Sequence, residues 1–214
     1  MDGVLTHVRG RGWSELKVGA CYHTHTRHSR TQPEEHEIHA HRISYITALC
    51  DAETFGWQLW QEAARRGVEA AHEVVVVADG AHWSWNIVEL HFPQATQIVD
   101  WYHAVGYIGN AARALEGSDE AEQQRWAREQ VTALWEGTVD GVREALAQEH
   151  RGQEAVEAAL SYFTTHRARM KYAEYRARGL QIGSGTIESG CKQVVSERLK
   201  GAGMIWSAEG GERV

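Results

Sequence analysis

Hydrophobic and polar positions first alternate along this chain, then cluster, and finally recur at helical spacing. Residues 2–7 and 13–22 read as two strands joined by the turn Arg9-Gly10-Arg11-Gly12. In the second, Trp13, Leu16, Val18, Ala20 and Tyr22 mostly share one face, and Glu15, Lys17 and Gly19 share the other. Residues 23–36 are polar and His-rich, which predicts a surface loop, and Ile43 to Leu49 predicts a third strand. Asp51 then caps a helix that carries Phe55, Leu59 and Ala63 on one side and ends at Arg65-Arg66-Gly67, where cations suit the helix dipole. The run Val74-Val75-Val76-Val77-Ala78 predicts a fourth strand, buried on both faces. Gly80 permits a tight turn, a Trp83-Ile87-Leu90 helix closes at Phe92-Pro93, and Ala95 to Val99 forms a fifth strand.

Beyond Asp100 only the helical period remains. Val105, Ile108, Ala112 and Leu115 mark one helix; Ala127, Val131, Leu134 and Trp135 mark a second, with Ser118 as its cap. Val139, Val142 and Leu146 mark a third, and Val156, Leu160 and Phe163 a fourth. No strand signal occurs between Asp100 and Gly179. The segment from Gly179 leads into a last helix with Ile187, Cys191, Val194 and Arg198 along one stripe. This order predicts an α/β fold with a mixed sheet in residues 1–100, an all-α insertion in 101–178 and a last core helix in 179–214.

Composition narrows the class. With 43% hydrophobic residues and two prolines among 214 residues, the chain can bury a core and suits one domain, or one domain with a large insertion. No stretch approaches the roughly 18 apolar residues of a membrane span, and no charged-then-apolar leader opens the chain, so a non-membrane, non-secreted protein is expected. Cys21, Cys50 and Cys191 are odd in number and far apart, as in reduced intracellular thiols. A net charge of −7 argues against a self-sufficient nucleic-acid binder and leaves room for an enzyme whose DNA affinity resides elsewhere.

Three acids occupy informative positions: Asp2 in the first strand, Asp79 at the end of the fourth, and Glu188 in the first turn of the last helix. The carboxyl end of a central strand is where open α/β sheets hold ligands, although Asp79 also suits a plain helix cap. Glu188 likewise suits the dipole of its helix, and Asp2 lies where chains fray. Two carboxylates about 4 Å apart repel by roughly 4 kcal/mol at an effective dielectric of about 20. Three together therefore need raised pKa values or bound cations, and oxygen-only ligands suit Mg2+ or Mn2+. Two such ions serve phosphoryl transfer.

Three separated stretches add a resemblance. Asp79-Gly-Ala-His-Trp-Ser-Trp-Asn86, His91-Phe-Pro-Gln-Ala-Thr-Gln-Ile-Val-Asp-Trp-Tyr-His103 and Gly183-Ser-Gly-Thr-Ile-Glu-Ser-Gly-Cys-Lys192 resemble ISKra-type bacterial insertion-sequence transposases, DDE enzymes related to the Mutator superfamily. Met1-Asp-Gly-Val4 and Trp13-Ser-Glu-Leu-Lys-Val-Gly19 resemble their first strands. The resemblance implies a ribonuclease H-like fold, a helical insertion before the last acid, and Asp2, Asp79 and Glu188 as ligands of two Mg2+ or Mn2+ ions. It implies DNA partners (transposon ends and target), a homo-oligomer and a bacterial cytoplasmic, nucleoid-associated setting. Asp100 and His103 match a Cys/Asp-x-x-His signature of these proteins. By the same comparison the chain is expected to be truncated at both ends, so an inactive fragment acting only through protein or DNA binding is the alternative.

Other features carry weaker expectations. Trp83 and Trp85 follow Asp79 and read first as packing, then as aromatic contacts to an unpaired base. Lys192 and Lys200 fall on or after the last helix and suit either the DNA backbone or plain solvent exposure. His23, His25, His28, His36, His39 and His41 form a stretch that suits zinc or nickel in principle. Read as a loop without cysteine partners, it is expected to be a solvated segment.

Overall fold

The computed structural model describes residues 1–8, 12–28, 36–149 and 152–185. It is mixed α/β and falls into two compact units, Met1–Thr96 (with Ser184 and Gly185) and Gln97–Gly183. No helix among the described residues is long and apolar enough to cross a membrane.

The first unit is built on an antiparallel sheet in the order β1 (Asp2–Val8), β2 (Gly12–His28), β3 (His36–Ala48). Leu16 and Val18 are fully buried on one face of β2. On the other, α1 (Ala52–Arg65) packs so closely that a Cβ added at Gly19 would lie 2.9 Å from Leu59 Cδ1 and 3.2 Å from Phe55 Cζ. Helix α1 begins as its sequence dictates: Asp51 accepts the Thr54 N–H, and Phe55, Leu59 and Ala63 form its buried stripe. Strand β4 (Val75–Ala78), helix α2 (His82–His91) and strand β5 (Thr96–Val99) follow, with β4 and β5 paired in a second, two-stranded sheet. Pairing begins at the Thr96 N–H, which donates to the Val74 carbonyl at 2.9 Å.

The His-rich segment, expected as a loop over 23–36, is strand at 23–28 and at His36, and 29–35 lie outside the described residues. Strand β2 runs on to His28 and β3 begins at His36, seven residues ahead of the expected start. Alternating His and Thr, then His with Ile and Ala, satisfies a period of two as well as it satisfies polarity. Cys21 pairs with Ser44 but His23 pairs with His41, so Arg42 and Ile43 together oppose Tyr22 in a bulge, with Arg42 in the left-handed region at φ 54°. The valine run is also less enclosed than expected. Val75, Val76 and Val77 are half-buried and only Ala78 is fully buried, because the described sheet of β4 has only two strands. In α2 the buried side is Ser84, Trp85, Ile87, Val88 and His91, while Leu90 is exposed.

The second unit carries α3 (Trp101–Arg113), α4 (Glu120–Trp135), α5 (Val139–Glu149), α6 (Glu154–His166) and the short α7 (Tyr172–Ala177) after the end of β5. Its core gathers Ile108, Leu134, Val142, Leu146, Val156 and Phe163, all fully buried. Asp119, not Ser118, caps α4, since its carboxylate accepts the Glu122 N–H while Glu122 reaches back to the Asp119 N–H.

Candidate functional site

Asp2 opens β1 opposite Val18, so its side chain leaves the sheet on the face away from α1. It is half-buried, and its Oδ1 accepts the N–H of Gly3 at 2.7 Å. One residue earlier, the Met1 nitrogen donates to the Val77 carbonyl in β4 at 3.0 Å. This single bond, across 76 positions of sequence, draws the start of β1 against the strand that leads to Asp79. Asp2 and Asp79 therefore lie one and two residues from the same backbone contact.

Asp79 does not cap α2. Ala81 takes the N-cap position without a side-chain bond, and the Asp79 Oδ1 accepts the Ala81 N–H at 2.9 Å across Gly80. Gly80 has φ 109°, a backbone conformation that glycine adopts freely, so the strand turns sharply and leaves Asp79, itself half-buried, at its carboxyl end. Both carboxylates are thus held by a neighbouring N–H. Among the described residues no three acidic, His or Cys side chains form a ready metal set, and Glu188 and Lys192 lie outside the described residues.

The two tryptophans after Asp79 separate. Trp85 is 4% exposed and belongs to the core. Trp83 is half-exposed, meets Phe55 edge-on at 5.9 Å and carries the Lys17 ammonium 5.3 Å from its ring centre. Lys17 is itself buried and paired with Glu15 at 2.9 Å. Its alternation was readable in the sequence; its charge on the helix-covered face was not.

In the second unit, Asp100 follows β5 and caps α3, with its side chain fully buried. Its Oδ1 accepts the His103 N–H at 2.9 Å and lies 3.0 Å from His103 Nδ1, while the imidazole is 41% exposed. A buried carboxylate holding one nitrogen of an accessible imidazole fixes the ring's orientation and its proton-bearing side. Two further contacts stabilise this corner. The Trp101 N–H donates to the Ile182 carbonyl at 2.9 Å, and the Tyr102 ring lies where a Cβ at Gly183 would come within 2.9 Å. A side chain at 183 would have to push the exposed Tyr102 ring aside. Tyr172, fully buried, donates from its hydroxyl to the Val99 carbonyl at 3.0 Å. Burial, with the charges of Tyr162 and Asp100 behind it, pushes the Tyr172 pKa well above the ordinary phenol value. No local pattern announces Tyr172, because its partner is distant in sequence.

The chain belongs to the DDE_Tnp_ISL3 transposase family, which matches residues 22–182. The matched stretch contains Asp79, Asp100 and His103 and contains neither Asp2 nor Glu188. Membership makes this a protein of the DNA-processing class that moves transposable elements. No curated protein and no solved structure matches it.

Proposed function

We propose that the chain is an ISKra-type catalytic core that cuts DNA at the ends of an insertion sequence and joins them to a target, working as a homo-oligomer. Its fold in this proposal is ribonuclease H-like, with residues 101–178 as a helical insertion. Asp2, Asp79 and Glu188 hold two Mg2+ or Mn2+ ions. The single observation that carries the proposal is the Met1–Val77 bond, which draws Asp2 toward the strand ending at Asp79 in a chain of transposase type. Half-exposed carboxylates are hard oxygen donors, which suits these cations better than zinc. When bound, two such ions lower the pKa of the attacking hydroxyl and neutralise charge at the phosphate.

The residues' own contribution is placement. Gly3 and Ala81 each donate an N–H to one carboxylate oxygen, so neither acid spends freedom on orienting itself during reaction. Water attacks the phosphorus and the P–O3′ bond breaks, leaving a 5′-phosphate and a free 3′-hydroxyl. That hydroxyl then attacks a target phosphodiester, whose own P–O3′ bond breaks and whose 3′-oxygen leaves as a hydroxyl. Trp83, with a half-exposed ring, and Lys192 contact the DNA in this scheme. The test is nicking of supercoiled plasmid in Mn2+. The parent chain is expected to nick and Asp79→Asn to lose nicking with its circular dichroism unchanged. Nicking retained in Asp79→Asn would sink the assignment.

A further inference from the structure

The outer half of the β2–β3 ribbon carries four imidazoles on a single face. His23 pairs directly with His41, and His25 with His39, while Thr24, Thr26, Ile38 and Ala40 take the opposite face. This face is the one that covers α1 at Gly19. It continues past Cys21, whose thiol feels Glu62 and Arg66 at the end of α1, into a region where His23 and His39 are exposed. Ring centres lie 5.7 Å apart for His23 and His41, 5.9 Å for His25 and His39, and 4.8 Å for the diagonal His25 and His41.

We infer that this ribbon face is a transition-metal site, in which His23, His25, His39 and His41 take one Zn2+, Ni2+ or Cu2+ ion. The spacing is the argument. A metal–nitrogen distance of about 2.0–2.1 Å puts the centres of two imidazoles on one tetrahedral ion about 5 Å apart. The three measured separations bracket that value. Directly opposed and i, i+2 positions are the two placements on a strand pair from which short side chains reach a common point. As the rings stand, no three donors among the described residues converge, so loading requires new χ1 and χ2 angles at the exposed His23 and His39 together with a shift of the half-buried His25 and His41. Imidazole nitrogen selects zinc, nickel and copper over the oxygen-seeking ions assigned to the acids. The ribbon site is therefore chemically separate from Asp2 and Asp79. Bound metal would add a side-chain tie to the backbone pairing of β2 with β3.

The test is calorimetric titration of the untagged chain with Zn2+, beside His25→Asn/His41→Asn, the single variant His23→Asn, and Asp79→Asn. One ion per chain is expected in the parent and in Asp79→Asn. Loss of two ligands should weaken binding by more than the 10- to 100-fold that removing a mere supporting contact costs. The milder His23→Asn keeps the comparison readable should the double variant lose its circular dichroism. Zn2+ binding absent in the parent, equal in all the His variants, or removed by Asp79→Asn would overturn the inference. None of these outcomes depends on whether the chain cuts DNA.

Discussion

Replacing Asp100 separates two jobs that a single carboxylate does at the start of α3. In Asp100→Ala the helix loses its N-cap bond to the His103 N–H, which costs about 1 kcal/mol. It also loses the interaction with His103 Nδ1, a bond to an ionised group worth about 1.5–3 kcal/mol where both partners are buried. The imidazole is 41% exposed, so water replaces part of that bond and the low end applies. The sum is about 2–3 kcal/mol. At roughly 2–4 °C per kcal/mol for a chain of this size, the melting temperature should fall by about 5–10 °C. Asp100→Asn keeps an oxygen at the cap and loses only the charge, so its fall should be less than half as large. His103→Ala keeps the cap entirely, and the cycle with Asp100→Asn should return a coupling of about 1 kcal/mol. Thermal denaturation followed by far-ultraviolet circular dichroism reads all five proteins: the parent, the three single variants and the Asp100→Asn/His103→Ala double variant. An Asp100→Ala variant that melts with the parent, or an Asn variant as unstable as the Ala variant, would refute the reasoning.

Two further outcomes follow from packing and charge. Gly19→Val drives a branched side chain into Leu59 and Phe55, where even a Cβ lies 2.9 Å from Leu59, so urea unfolding should show a loss of about 1–3 kcal/mol, and an unmoved midpoint would contradict the packing. Glu62 is held to a pKa of about 2, against 4.5 ordinarily, first by the Arg65 hydrogen bond and then by that from Ser44. A folded pKa below the unfolded one binds fewer protons in the native state, so the contribution is full above pH 4.5 and lost as pH falls toward 2. After allowance for solvent screening it is about 1–2 kcal/mol, and Glu62→Gln should flatten the stability profile in that window; an unchanged acid slope would contradict it.

The sequence made the helices legible where a local code existed. Asp51 with Phe55, Leu59 and Ala63 announces cap and stripe together, and Ile108 with Ala112 announces the stripe of α3. The ribbon was not legible, because register between His23 and His41 is a property of two strands, and polarity alone reads as loop. Leu90 misled for a related reason: which side of α2 is buried depends on what it meets, as Trp57 and Gly56 meeting His91 show. At the acids, strand, Asp and Gly sufficed to place Asp79 at a turn. The neighbourhood of Asp2 was hidden, since the bond that draws β1 toward β4 joins residues 1 and 77.

Calorimetric titration with Mn2+ of the parent beside Asp79→Asn, once circular dichroism shows both folded, tests most directly whether Asp79 is a metal ligand. Mn2+ binding in the parent that disappears in Asp79→Asn is the predicted result. Binding that is equal in both, or absent from both, would contradict the assignment of the acids and leave the chain a transposase-family protein without a working carboxylate metal site.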